Sequence, residues 1–132
     1  MAARVTEVQG PALPAPVGPY AHATVAGAQI YVSGLLALDA AGAVVGAGDP
    51  AAQAEHIFAA LETILIAAGA TLKDVAKLTF YLLDLKDRGP LTDVRKRVFG
   101  DHRPASTLVQ VAGLIGDGTL MEIEAIAALP GG

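Results

Sequence analysis

The run from Leu120 to Ala127 carries two different faces within one strand. Successive side chains of a strand point to opposite sides of its sheet. Met121, Ile123, Ala125 and Ala127 therefore share one side, and Leu120, Glu122, Glu124 and Ile126 the other. The first side is a core face. The second mixes two carboxylates with Leu and Ile and is no plain solvent face. An ion pair or an exposed edge accounts for that pattern about as well as a functional carboxylate does. In the functional case the apolar neighbours raise the carboxyl pKa and fit it for general acid or base work.

The other elements follow from local signals. Asp49-Pro50 is an N-cap acid followed by proline at the first helical position. Ile57, Leu61, Ile64, Leu65 and Ala68 then recur at helical spacing, and Gly69 supplies the stop. Tyr20 to Val25 and Gln29 to Ser33 read as strands joined by a turn at Gly27, with Leu35 to Leu38 continuing as another and Asp39 to Gly42 as a turn. Val75 to Leu83 reads as a buried strand, 84–89 as a loop, and Pro90 as the opening of a second helix with Leu91, Val94 and Val98 on one face. Ser106 to Val111 and Leu120 to Ala127 are the last strands, with Gly116-Asp117-Gly118 as a hairpin signal between them. The expected class is α+β: a single sheet with two helices on one face. Nothing in the chain covers the other face.

The 132 residues predict one domain, with 1–14 as an irregular N-terminal segment. Hydrophobic residues reach 53% and charged residues only 17%, which favours a second subunit as the cover for the bare face. There is no cysteine, so disulfides and thiolate chemistry are excluded, and a cytoplasmic protein is expected. The net charge is −4, and the densest basic run is Arg95-Lys96-Arg97, too little for a nucleic-acid backbone. Gly10 to Leu38 is uncharged, but prolines 11, 14, 16 and 19 rule out a membrane span. The first residues show no apolar signal-peptide region.

Three kinds of site are disfavoured. His22, His56 and His102 have no metal-ligand spacing, so no metal is expected. Ser33 and Ser106 are the only serines, and neither lies in a nucleophile elbow. Gly46-x-Gly48-x-x-Ala51 mimics a dinucleotide fingerprint, but Asp49 puts a carboxylate where the pyrophosphate belongs.

Several motifs together resemble the RidA/YjgF family. They are Gly18-Pro19-Tyr20, Tyr31-Val-Ser33-Gly34, Gln53 with its helix, Ala67-Ala68-Gly69, Asp84-Leu85, Arg103-Pro104-Ala105 and Met121 to Ala127. The resemblance spans about residues 14–128, in order. It implies a chorismate-mutase-like fold in which three subunits pack their sheets around a central barrel. Three pockets at the subunit interfaces would each take a small molecule, without cofactor or metal. Deaminases of this family hydrolyse enamines and imines such as 2-aminoacrylate and 2-iminopropionate.

By that resemblance Glu122 is the catalytic residue that positions and activates water, and Tyr20, Ser33 and Gly34 line the pocket. Thr92, Ser106 and Leu108, with the backbone near Val109, complete it. The family's carboxylate-binding arginine follows a Pro-Ala pair, where this chain has Ser106; its asparagine falls at Thr92; and Leu35 stands where glutamine is frequent. Losing the partner of a desolvated charge costs roughly 3–5 kcal/mol. On an α-imino acid that is a loss of about 10² to 10⁴. Arg95 and Arg103 are the two candidates to replace the cation, although Arg103 is expected on the far side of its strand. The expected function is an imine or enamine hydrolase other than a standard 2-iminopropionate deaminase. The alternative is a non-catalytic trimer that binds a small, uncharged ligand in an apolar pocket. A ribonuclease is disfavoured by the acidic charge and the lack of a histidine pair.

Overall fold

A computed structural model describes residues 4–131. Its longest element, α1 (Pro50–Ala68), is bounded as its caps dictate. The Asp49 carboxylate accepts the Ala52 N–H at 3.1 Å, and Gly69 closes the helix in the left-handed conformation at φ 91°. By length and composition α1 could cross a membrane. Ile57, Phe58, Leu61, Ile64 and Leu65 are buried along one stripe of it, and that stripe joins the core.

The strands are β1 (Val5–Val8), β2 (Ala23–Ala26), β3 (Gln29–Leu35), β4 (Val75–Leu82), β5 (Ala105–Gln110) and β6 (Met121–Ala128). The second helix, α2, spans Arg88–Phe99. The six strands form one mixed sheet in the order β1-β2-β3-β6-β4-β5. Ile30, Val32, Leu78, Phe80, Leu82, Met121, Ile123, Ala125 and Ala127 point to the helix side and are buried. Phe58 and Phe99 meet there edge to face, 5.4 Å apart. The alternate residues, including Tyr31, Tyr81, Glu122, Glu124 and Ile126, form the other face, which no element among the described residues covers. Tyr31 on this face is 41% exposed and Val109 40%.

The structure corrects several expectations. The N-terminal segment is not irregular throughout: Val5 to Val8 pairs antiparallel with β2, which would otherwise be an unpaired edge. The part of that expectation covering residues 1–3 lies outside the described residues. Tyr20 belongs to a tight turn rather than a strand, its N–H bonded to the Gly18 carbonyl. Leu35 to Leu38 forms no separate strand; β3 ends at Leu35, and Leu38 makes one bridge to Val44. Pro90 does not open α2 but sits third in it, where the N–H has no intrahelical partner to lose.

The hairpin expectation fails more instructively. Gly116 and Gly118 do turn at positive φ, but the strands they separate are not neighbours. Chain 111–120 carries β6 past β4 into the middle of the sheet, between β3 and β4. Only there are Met121, Ile123, Ala125 and Ala127 all covered. Meanwhile β5 runs parallel to β4, as a strand–helix–strand crossover through α2 requires.

Candidate functional site

Glu122 lies near the start of β6, opposite Tyr81 of β4 and on the uncovered face. Its carboxylate rests on the backbone of Gly34. A Cβ at position 34 would stand 2.6 Å from Glu122 Oε2, so only glycine leaves this room. Gly34 falls in an irregular stretch of β3, where the register with β6 shifts between Val32 and Leu35. Ser33 is held there by Oγ–H donation to the Ala21 carbonyl at 2.7 Å. Tyr20, Ser33 and Gly34 line one small cavity of about 60 Å³, walled by Pro14, Pro16 and Leu35. His22 braces that wall: Nδ1 accepts the Gly10 N–H and Nε2 donates to the Pro14 carbonyl, both at 2.8 Å. His22 is thus buried.

The Glu122 carboxyl is pushed above its ordinary value of 4.5, chiefly by burial and secondly by the charge of Glu124. Glu124 accepts the Tyr81 hydroxyl at 2.6 Å. Tyr81 in turn is raised by that bond, by desolvation and by both carboxylates. The sequence reading missed Tyr81. Its place between Phe80 and Leu82 marks only the face it occupies; its partner depends on the β4–β6 register.

The other predicted residues gather elsewhere. Thr92, Ser106 and Leu108 line a groove of about 540 Å³ between α2 and β5, together with Arg88, Arg95, Lys96 and Arg103. Arg95 Nη1 donates to Ser106 Oγ at 2.8 Å, Nη2 reaches the Pro104 carbonyl at 3.4 Å, and the guanidinium stands 5.0 Å over the Phe80 ring. Desolvation lowers the Arg95 pKa, yet a guanidinium remains charged. Arg103 precedes β5 and lines the same groove as Ser106, so the expectation that it faces away is corrected.

Glu122 and Leu108 lie on opposite faces of the sheet. Leu108 pairs with Phe80, which points into the helix-side core, whereas Glu122 pairs with Tyr81, which points to the uncovered face. Glu122 lines neither the small cavity at Tyr20 nor the α2–β5 groove.

The single mixed sheet with two helices is the fold of a known class of proteins. The model of the family described as Endoribonuclease L-PSP matches residues 11–129, and the chain belongs to that family, also called RidA/YjgF. It is 41% identical over 114 residues to the 3-aminoacrylate deaminase RutC of Acinetobacter baylyi, covering 86% of this chain and 90% of the relative. RidA from an Antarctic Psychrobacter superposes with a TM-score of 0.86 at 35% identity, over 93% of this chain and 98% of the other. The Escherichia coli protein TdcF, solved with bound serine, superposes at 0.85 with 29% identity over the same shares.

Proposed function

We propose that this protein hydrolyses a small imine or enamine, with Glu122 as the acid–base group, in a pocket assembled between subunits of a homotrimer. One observation carries the reading: a carboxylate with raised pKa sits on a glycine-floored patch of a sheet face that the described residues leave bare. A second copy packed on that face would bring the edge residues Ser106, Leu108 and Thr92 opposite Glu122, Tyr20 and Ser33. The deaminase activity of the RutC relative and the serine bound to TdcF support a small-molecule site of this kind.

The chemistry suits the group. For an enamine, protonated Glu122 delivers its proton to carbon and leaves an iminium ion; an imine reaches the same ion by taking that proton on nitrogen. Ionised Glu122 then takes a proton from water as the water oxygen bonds to the iminium carbon, which gives a neutral carbinolamine. Glu122 passes that proton to the nitrogen, the C–N bond breaks as the hydroxyl proton returns to the carboxylate, and carbonyl compound and ammonia are released. A carboxyl with raised pKa populates both forms nearer neutrality.

The nuclease activity in the family description gains no support from the histidines. Nε2 of His22, His56 and His102 bonds the backbone carbonyls of Pro14, Leu38 and Val75 respectively, at three separate places.

The test is turnover of a panel of imines and enamines by wild type and Glu122→Gln. Loss of a positioned acid–base group lowers kcat by about 10² to 10⁴. Equal rates for the two proteins remove the reading. Saturable binding of panel compounds without turnover leaves the non-catalytic alternative.

A further inference from the structure

A second groove opens where α2 stops short of its neighbour. Strands β3 and β4 both run antiparallel to β6, and β5 runs parallel to β4, so α1 and α2 return across the sheet in the same direction. Arg97, near the end of α2, pairs with Glu55, near the start of α1, at 2.8 Å. Phe99, the last residue of α2, meets Phe58. From Phe58 to Ala68 α1 runs on alone for about 15 Å, at about 1.5 Å per residue. Glu62 lies two turns beyond Glu55 on the same face of α1. By that level α2 has ended, and a notch is left in its place. The short 3₁₀ turn Leu72–Asp74, which follows α1, closes the far side.

The notch is a groove of about 360 Å³, the size of a small-molecule site. Leu72, Val98 and Phe99 give it apolar walls. His102 adds a fixed ring, because Nε2 donates to the Val75 carbonyl at 2.7 Å and the ring stands 6.3 Å from that of Phe99. Two opposite charges, Glu62 and Lys73, line the same groove, both exposed. They do not pair with each other: the ion pairs among the described residues are Lys86–Asp84 and Arg97–Glu55. Thr71, the other polar residue there, is already bonded to the Asp74 carboxylate through its N–H at 2.8 Å and its hydroxyl at 3.3 Å. The C-terminal ends of both helices, which carry partial negative charge, lie at this groove. Lys96 and Arg97 offset that of α2, but the last turn of α1 holds no basic residue.

We infer that the groove between the ends of α1 and α2 binds a zwitterionic α-amino acid with an apolar side chain, its ammonium at Glu62, its carboxylate at Lys73 and its side chain against Leu72, Val98 and Phe99. An anion alone would face the Glu62 carboxylate and the helix ends. A cation alone would face Lys73. A ligand that carries both charges beside an apolar group answers every wall of the groove. The site lies on the α1 side of α2. It adjoins the α2–β5 groove, with Phe99 and His102 lining both, but takes in neither Ser106 nor Glu122. Binding here is independent of any turnover at Glu122.

Equilibrium binding to the full-length protein tests this, followed by backbone-amide NMR at fixed protein concentration. The probes are L-phenylalanine, 2-phenylethylamine, which lacks the carboxylate, and 3-phenylpropionate, which lacks the ammonium. Phenylalanine should shift the resonances of Leu72, Lys73, Phe99 and His102 saturably and leave those of Ser106, Leu108 and Glu122 in place. Exposed charge pairs are weak, so each one-charge analogue should bind about two- to fivefold less tightly than phenylalanine. Two variants assign the charges, and both replace exposed side chains that the fold does not use. Glu62→Gln should weaken phenylalanine and phenylethylamine by that factor and spare phenylpropionate. Lys73→Gln should weaken phenylalanine and phenylpropionate and spare phenylethylamine. No saturable shift, shifts centred on Ser106, Leu108 or Glu122, equal affinity for the three probes, or variants that weaken all three alike would each overturn the inference. Groove resonances that move with protein concentration and not with phenylalanine would make a second copy the occupant and overturn it as well.

Discussion

Tyr81 stands directly across the β4–β6 ladder from Glu122, yet its hydroxyl donates to Glu124, at 2.6 Å. The bond is diagonal, within the reach of an aromatic side chain. It fixes Glu124 and leaves Glu122 with a negative neighbour two residues along the same face. The environment thus separates two adjacent carboxylates into a held one and a poised one.

The first prediction concerns that neighbour. Removing the Glu124 charge removes the second cause of the raised Glu122 pKa. In Glu124→Gln the acid limb of the pH–rate profile should move toward lower pH, with the limb still above the ordinary 4.5 because burial remains. A profile coincident with wild type would show that the limb belongs to another group.

The same shift links pH to stability. Because the folded pKa lies above 4.5, between those two values the folded state binds more proton than the unfolded state. The contribution of Glu122 to stability is therefore full below 4.5 and declines as pH rises through the folded pKa. Denaturant titrations from pH 4 to 8, at fixed protein concentration, should give a wild-type curve that falls relative to Glu122→Gln across that window. Parallel curves would mean that the carboxyl is not perturbed in solution.

Gly34→Ala should separate folding from activity. The new Cβ would meet Glu122 Oε2 at 2.6 Å and Cδ at 2.7 Å. These atoms end a flexible side chain, so the carboxylate swings aside and the fold survives. Displacing a reacting group by about 1 Å costs on the order of 10² in rate. The expected result is a near-native melting temperature with kcat reduced by that factor. Unchanged kcat would place the working carboxylate elsewhere.

Much of this fold is readable where one residue type fixes one conformation. Asp49, Pro50 and Gly69 set α1 to the residue, and the parity of 121–127 marks the core face of β6. What escapes is pairing. Nothing in Gly116-Asp117-Gly118 says that the next strand bypasses its sequence neighbour, because strand order is decided by which strand has most apolar surface to cover. The candidate site divides the same way. Residue types at 20, 33, 34, 106 and 122 are visible in sequence, whereas the Arg95–Ser106 and Tyr81–Glu124 bonds join elements whose approach only packing sets. Arg103 shows the hazard of extending strand parity past a strand end.

Gln53 tests the packing itself. It is fully buried on α1, donates Nε2 to the carbonyls of Gly118 at 2.9 Å and Gly46 at 3.3 Å, and accepts the Leu120 N–H at 2.8 Å. One amide thus ties the helix to both loops that bracket β6 and α1. Gln53→Ala removes the partner of three part-buried backbone groups, at up to roughly 1–3 kcal/mol each where water does not replace it. Chemical denaturation should show a loss of about 2–5 kcal/mol in total. A loss under about 1 kcal/mol would mean that water replaces the amide.

Subunit complementation tests the shared pocket most directly. Glu122→Gln disables one half-site, and Thr92→Trp fills the groove that forms the other. Each variant alone should be inactive. If every pocket takes Glu122 from one chain and Thr92 from the next, co-refolded mixtures contain interfaces with both native halves. Random assembly of equal amounts makes about a quarter of the interfaces intact, so about a quarter of wild-type activity should return. Two inactive proteins that stay inactive after verified subunit exchange would place the whole site within one chain.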